Sequence, residues 1–289
     1  MKISRVIAGF ILAGFILIFP VAPAAPILAT PMLAVPAEPA GKSPTVDEAK
    51  AFIEKTERDM VDLIIKASRA SWVQQNFITD DTEALSAEAG KNLIAAQMQA
   101  AAEAARYKEL NLPADLARKL NLLRTGITLA APADPAKQTE LTQITTSMES
   151  RYGKGKYCPA GGECRDLNQL SRTLAESRDP AELLDAWRGW RTISPPLRPL
   201  YQRFAQLAND GARELGFAAQ GALWRSGYDM PADEFAAELD RIWAQVKPLY
   251  DALHCHVRAM LVKKYGAGVV PPDKPIPAHL LGNMWAQSW

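Results

Sequence analysis

Apolar residues return every three to four positions through most of the chain, and Pro, Gly, Asp and Thr fill the gaps between these runs. Thr45 and Glu48 form a T-x-x-E capping box behind Pro44. The helix they open runs to about Trp72, with Ile53, Met60, Ile64 and Ala67 on one face. Thr79-Asp-Asp-Thr82 supplies turn and cap for a second long helix, about Thr82 to Leu110, whose alanine-rich centre favours helix and close packing. Leu112-Pro113 and Ala131-Pro-Ala-Asp-Pro135 bracket a third, and a fourth runs from about Pro135 to Tyr152. Asp179-Pro180-Ala-Glu182 places Pro at the first helical position and Glu three after the cap; Pro195-Pro196 ends that helix. Leu197 to Leu215 forms the next, closed by Gly216. Pro231 opens a long helix through Tyr265, interrupted at Pro248, along which Phe235, Leu239, Ile242, Val246, Leu249 and Leu253 hold the 3.6 period. No strand-like alternation of useful length and no repeat appears. The class is all-α.

The last fifteen residues, Pro275 to Trp289, carry no Lys, Arg, Asp or Glu. Leu281, Met284, Trp285 and Ser288 fall on one face of a helix, and Leu280, Asn283, Met284 and Gln287 on the next. A helix neutral nearly all round belongs inside a large protein. Two readings stay open: a terminal helix docked on its own core, or a domain cut before its end. The second is preferred, because no Gly, Asn, Lys or Arg marks a helix C-terminus before Trp289.

Composition adds bounds. The chain has 289 residues, 48% of them hydrophobic, and a formal charge of +1 from 33 basic and 32 acidic residues. Wholesale disorder is excluded, and nucleic acid is not an expected partner. Lys2 and Arg5 precede an apolar run from Val6 to Phe19, followed by small residues and prolines, which describes a secretory signal peptide over 1–29. A membrane anchor is the competing reading of the same leader. Residues 30–44 are rich in Pro and Ala and read as a linker, leaving 45–289 as the folded part.

Cys158 and Cys164 close a short loop containing Pro and Gly, and in an exported chain they argue for a disulfide contributing about 2 kcal/mol through loop entropy. Zinc is the rival for these thiols, though no other Cys or His lies nearby in sequence. Cys255, inside the long helix, reads as a buried thiol. Trp187, Trp190 and Arg191 stand at i, i+3 and i+4, so one helix face offers two indoles and a guanidinium. Core packing with a stacked Arg is one reading; an anion site is the other, because a permanent cation in an apolar cage needs a counter-ion.

The Pro275–Trp289 stretch, the Cys158–Cys164 loop, Trp187-Arg-Gly-Trp-Arg191 and Trp224-Arg-Ser-Gly-Tyr228 together resemble the angiotensin-converting-enzyme-like peptidyl-dipeptidases, from about Thr45 to Trp289. The resemblance implies an all-α zinc metallopeptidase that removes C-terminal dipeptides from oligopeptides. It implies that these residues are the N-terminal portion of the catalytic domain, with a lid of long helices over a deep channel. It implies chloride as a second ion, with Trp187, Trp190, Arg191 and Trp285 in one chloride cage and Tyr228 beside another. It implies that Gln287 hydrogen-bonds the substrate's terminal carboxylate, with Ser288 lining the same pocket; a neutral amide can donate there without adding charge.

Zinc hydrolysis in this class needs two His at i and i+4 with a Glu between them as general base, H-E-x-x-H. The three histidines here are His254, His256 and His279; the first two stand at i and i+2 with no Glu between them. They do not reproduce the motif, so no residue of this chain is expected to be catalytic or to bind metal. The zinc ligands are expected further along a longer chain, and this portion alone is expected to be inactive. The alternative is a non-catalytic exported helical protein that binds a partner through its exposed Trp-rich surface.

Overall fold

The structure, a computed structural model, describes residues 43–286, and the leader, most of the linker, Gln287 and Ser288 lie outside them. Nine α-helices, three short 3-10 helices and one two-stranded ribbon make up the regular structure of the described residues. α1 (Val46–Asn76) begins at the expected capping box: Glu48 N–H donates to Thr45 Oγ1 at 3.2 Å and Thr45 N–H to Glu48 Oε2 at 2.8 Å. α2 (Asp80–Ala104) opens the same way, with Thr79 and Thr82 capping reciprocally. α3 (Ala114–Thr125) and α4 (Pro135–Gly153) follow, the latter capped by Asp134. α1 lies along α2, and α2 packs on α3 and α4.

The inner face of α1 differs from the expected one. Ala49, Ile53 and Thr56 are buried, but Ile64 is exposed, because α2 meets α1 on the Ala49–Ile53 side. The stripe of Ile64 and its neighbours Val61 and Ile65 is left to solvent.

Lys156–Tyr157 (β1) and Arg165–Asp166 (β2) pair antiparallel and are stapled by the Cys158–Cys164 disulfide. Asp166 then caps α5 (Leu167–Glu176) in a full capping box with Gln169. α6 (Pro180–Arg191) starts on Asp179, whose side chain accepts from Ala181 N–H. Glu182 does not close the expected reciprocal box; it accepts from Ser177 Oγ at 2.6 Å. α7 (Arg198–Glu214), α8 (Gln220–Ser226) and α9 (Ala232–Tyr265) complete the set.

The core lies in separate clusters. One joins α1, the end of α2 and α3 around Ala49, Ile53, Leu116 and Leu120. Others hold the 127–131 segment against α2, α4, α7 and α8. That segment is an irregular chain inside the protein, so its backbone needs partners. Gln220 supplies two, accepting from Ala130 N–H at 3.0 Å and donating to Thr128 O at 3.2 Å; Trp224 Nε1 donates to the same carbonyl at 2.7 Å. A Cβ on Gly211 would stand 2.5 Å from the Ala131 backbone carbon, so only glycine lets α7 approach this segment.

Further sequence expectations change here. The Pro275–Trp289 stretch is not helical as far as it is described: a 3-10 turn at Ala278–Leu280 is followed by bends, with Gly282 at φ 82° and Ala286 at φ 54°. Proline spacing opens the stretch, and Asn283 Oδ1 accepts from Trp285 N–H at 2.9 Å, a turn that competes with helix. The stretch still docks, sending Leu280 and Met284 into the cluster of Leu170, Leu174, Leu183 and Trp190. Cys255 is exposed rather than buried. Its helix explains why: α9 runs unbroken through Pro248 and has no buried residue. Among the described residues, no helix is long and apolar enough to cross a membrane.

Gly211→Ala is expected to cost about 1–3 kcal/mol, because backbone rather than a mobile side chain blocks the new methyl. Chemical and thermal unfolding followed by circular dichroism would read this as a lower midpoint with unchanged native helicity.

Candidate functional site

α6 carries the candidate site, and its glycine is what allows it to form. A Cβ on Gly189 would sit 2.2 Å from Tyr157 Cδ1, so the stapled ribbon can lie flat on α6 only at this residue. Tyr157 OH then donates to Asp185 at 2.6 Å, and Arg165 reaches the same carboxylate at 2.7 Å. Both partners come from the ribbon, so the disulfide fixes the angle at which α6 presents its other face.

Trp190 points inward and is 2% exposed. Its Nε1 donates to Tyr152 OH at 3.1 Å, and the two rings meet edge to face at 5.1 Å. Trp187 and Arg191 sit one turn apart, and the Arg191 guanidinium carbon lies over the Trp187 ring at 4.3 Å from its centroid. Arg191 Nη2 donates to the Met284 carbonyl, tying α6 to the terminal stretch. Arg191 appears in no ion pair among the described residues, and burial pushes its guanidinium down from the ordinary value. It stays cationic all the same. Trp187 Nε1 is buried without a hydrogen-bond acceptor. A cation short of a counter-ion and an unfilled N–H donor on a stacked pair together form an arrangement that suits an anion.

Of the residues expected in the cage, Trp187 and Arg191 are stacked, and Trp190 packs inward against Tyr152. Trp285 follows the Met284 carbonyl that Arg191 holds, yet its side chain is 49% exposed. Tyr228 stands at the α8–α9 junction, stacked on Phe235 at 4.0 Å; its neighbour Asp229 is gripped by both guanidinium nitrogens of Arg118 on α3, at 2.9 and 3.1 Å. Tyr152 and the Met284 carbonyl were missed by sequence reasoning. Neither carries a local signal, since their partners stand 38 and 93 residues away.

The histidines do not fit zinc. His254 packs beside Tyr250 one turn earlier on α9, and His256 is exposed. His279 lies in the 3-10 turn, where burial and then the Arg188 charge lower its pKa. Among the described residues no three His, Cys, Asp or Glu side chains gather about one point.

The family model described as angiotensin-converting enzyme matches residues 43–289. The rabbit (Oryctolagus cuniculus) angiotensin-converting enzyme is 36% identical over 252 residues, 83% of this chain and 19% of that protein. The mouse (Mus musculus) angiotensin-converting enzyme-like protein Ace3 is 34% identical, over 84% of this chain and 33% of the relative. The angiotensin-converting enzyme of Theromyzon tessulatum is 33% identical, over 85% of this chain and 40% of its own length. The chain thus spans between about a fifth and two fifths of these curated relatives.

Tyr152→Phe keeps the ring but removes the acceptor for a buried indole N–H, and should destabilise by about 1–3 kcal/mol. Urea unfolding would show it, and near-ultraviolet circular dichroism would report the altered setting of Trp190.

Proposed function

The chain belongs to the angiotensin-converting enzyme family of peptidases, and from that membership we propose that it forms the N-terminal part of an exported zinc peptidyl-dipeptidase. In this reading residues 1–29 are an export signal, 30–44 a linker, and 45–289 one wall of a cavity that admits oligopeptides beneath the lid of α1 and α2. Zinc enters with residues outside this chain, since no H-E-x-x-H is present in it. The chain alone is inactive.

One observation supports the proposal: Arg191, half-buried over Trp187, has no carboxylate partner among the described residues and stands beside an indole N–H that lacks an acceptor. A chloride ion would satisfy both groups. Trp187, Arg191 and Trp285 are assigned to that ion, with Trp190 as its buried support. Tyr228 is assigned to a second chloride, completed by residues elsewhere. Gln287 and Ser288, outside the described residues, are assigned to the carboxylate end of the peptide. The Gln amide N–H groups suit that acceptor.

The exposed stripe of α9 favours a second reading, a non-catalytic exported protein that works by binding a partner. Two measurements separate the readings. Nucleotide sequence beyond Trp289 is expected to encode H-E-x-x-H roughly a hundred residues downstream; an immediate stop and no such motif would remove the enzyme. Chloride is expected to change the tryptophan fluorescence of the chain saturably, and Arg191→Gln to abolish the response. A response that survives Arg191→Gln would overturn the anion assignment.

A further inference from the structure

α6 is gripped on one flank and carries the stacked Trp187–Arg191 pair on the other. At about 100° per residue, Asp185 and Gly189 share a flank, and Trp187 and Arg191 stand about 200° round from them. Ala186 and Trp190, between the two flanks, enter the core. A helix bedded along one side can still roll about its axis, and contacts on the flanks are what stop it. On the first flank these come from the ribbon. The Tyr157 ring lies against the bare backbone of Gly189, Tyr157 OH donates to Asp185 Oδ1 at 2.6 Å, and Arg165 Nη2 donates to Asp185 Oδ2 at 2.7 Å. On the second flank Arg191 Nη2 donates to the Met284 carbonyl.

The ribbon cannot keep that grip by pairing alone. It consists of two residue pairs, Lys156 with Asp166 and Tyr157 with Arg165, and so short a hairpin is not stable by itself. Tyr157 and Arg165 face each other across the strands, with the guanidinium carbon 5.6 Å from the ring centroid. The next residue outward on each strand is a cysteine of the disulfide. The staple therefore stands directly against the two side chains that hold Asp185, and it keeps both on one carboxylate. This clamp is complete within residues 157–189 and needs nothing that follows them.

From this placement we infer that the Cys158–Cys164 disulfide is a redox control on the anion site of α6: its two-electron reduction by a dithiol opens the clamp, lets α6 roll, and weakens anion binding at Trp187 and Arg191. One thiolate of the dithiol attacks a cystine sulfur and expels the other cysteine as thiolate. The second thiol then closes a cyclic disulfide and expels the first cysteine, so the dithiol leaves oxidised and its protons pass to the two cysteines. Tyr157 and Arg165 part, and Asp185 loses the donors that fixed it. The linkage runs both ways, since an anion that prefers the stapled form also holds the staple closed. The inference rests on the anion reading of Arg191.

Chloride titrations of tryptophan fluorescence at constant ionic strength, on the full chain before and after dithiothreitol, test it. Alkylation followed by mass measurement establishes that Cys158 and Cys164 are both free. Reduction is expected to raise the chloride concentration at half-saturation about tenfold, with far-ultraviolet circular dichroism unchanged. Saturating chloride should shift the thiol–disulfide equilibrium toward the disulfide by the same factor. Tyr157→Phe with Arg165→Gln keeps the disulfide and the aromatic ring; it should weaken chloride binding in the oxidised chain and leave reduction with no further effect. This variant decides the matter even if the reduced chain unfolds. Three results would each overturn the inference: equal half-saturation in both redox states, a disulfide that the dithiol does not open in the folded chain, or a Tyr157→Phe, Arg165→Gln chain that binds chloride like the wild type. A chain without any chloride response overturns the anion reading as well, whereas a response alike in both redox states removes this inference alone.

Discussion

A half-buried guanidinium with no carboxylate partner among the described residues is the point on which the packing around α6 converges. Arg191 has an indole face on one side and a backbone carbonyl from the terminal stretch on the other. Neither neutralises it. Stacking and a single carbonyl offset part of the cost of desolvation. The surroundings are built to hold that arrangement. The disulfide ribbon leans on Gly189, Tyr152 anchors Trp190, and Leu280 and Met284 fasten the terminal stretch to the same cluster. Each support is ordinary packing, yet all of them converge on one unpaired cation.

How much of this could be read from the sequence follows from the range of the forces involved. Capping at Thr45, Thr79 and Asp179 is decided within four residues, so those helix starts were legible. The disulfide was legible for the same reason. The terminal stretch was not: its apolar spacing fits a helix, but Gly282 and the Asn283 turn override the spacing once Leu280 and Met284 find the core. Cys255 was misread because an apolar period was taken to mean burial. Period fixes which side chains share a face; only a neighbouring element decides whether that face is covered.

The candidate site divides along the same line. Trp187 and Arg191 were paired correctly from their spacing within one helix. Trp190, one residue before Arg191, turns to the core, where its Nε1 donates to Tyr152 OH. No residue near Trp190 in sequence announces Tyr152, which lies 38 residues away. Gln287 and Ser288 rest on resemblance to the family and lie outside the described residues.

Gly189 has a consequence for how this protein can change over generations. The Tyr157 ring occupies the place where any larger residue at 189 would put its first carbon. A lineage that exchanges this glycine must shrink the tyrosine or let the stapled ribbon lift from α6, losing the Tyr157–Asp185 link with it. Among descendants, positions 157 and 189 should therefore drift as a linked pair, although a disulfide and two helix starts lie between them.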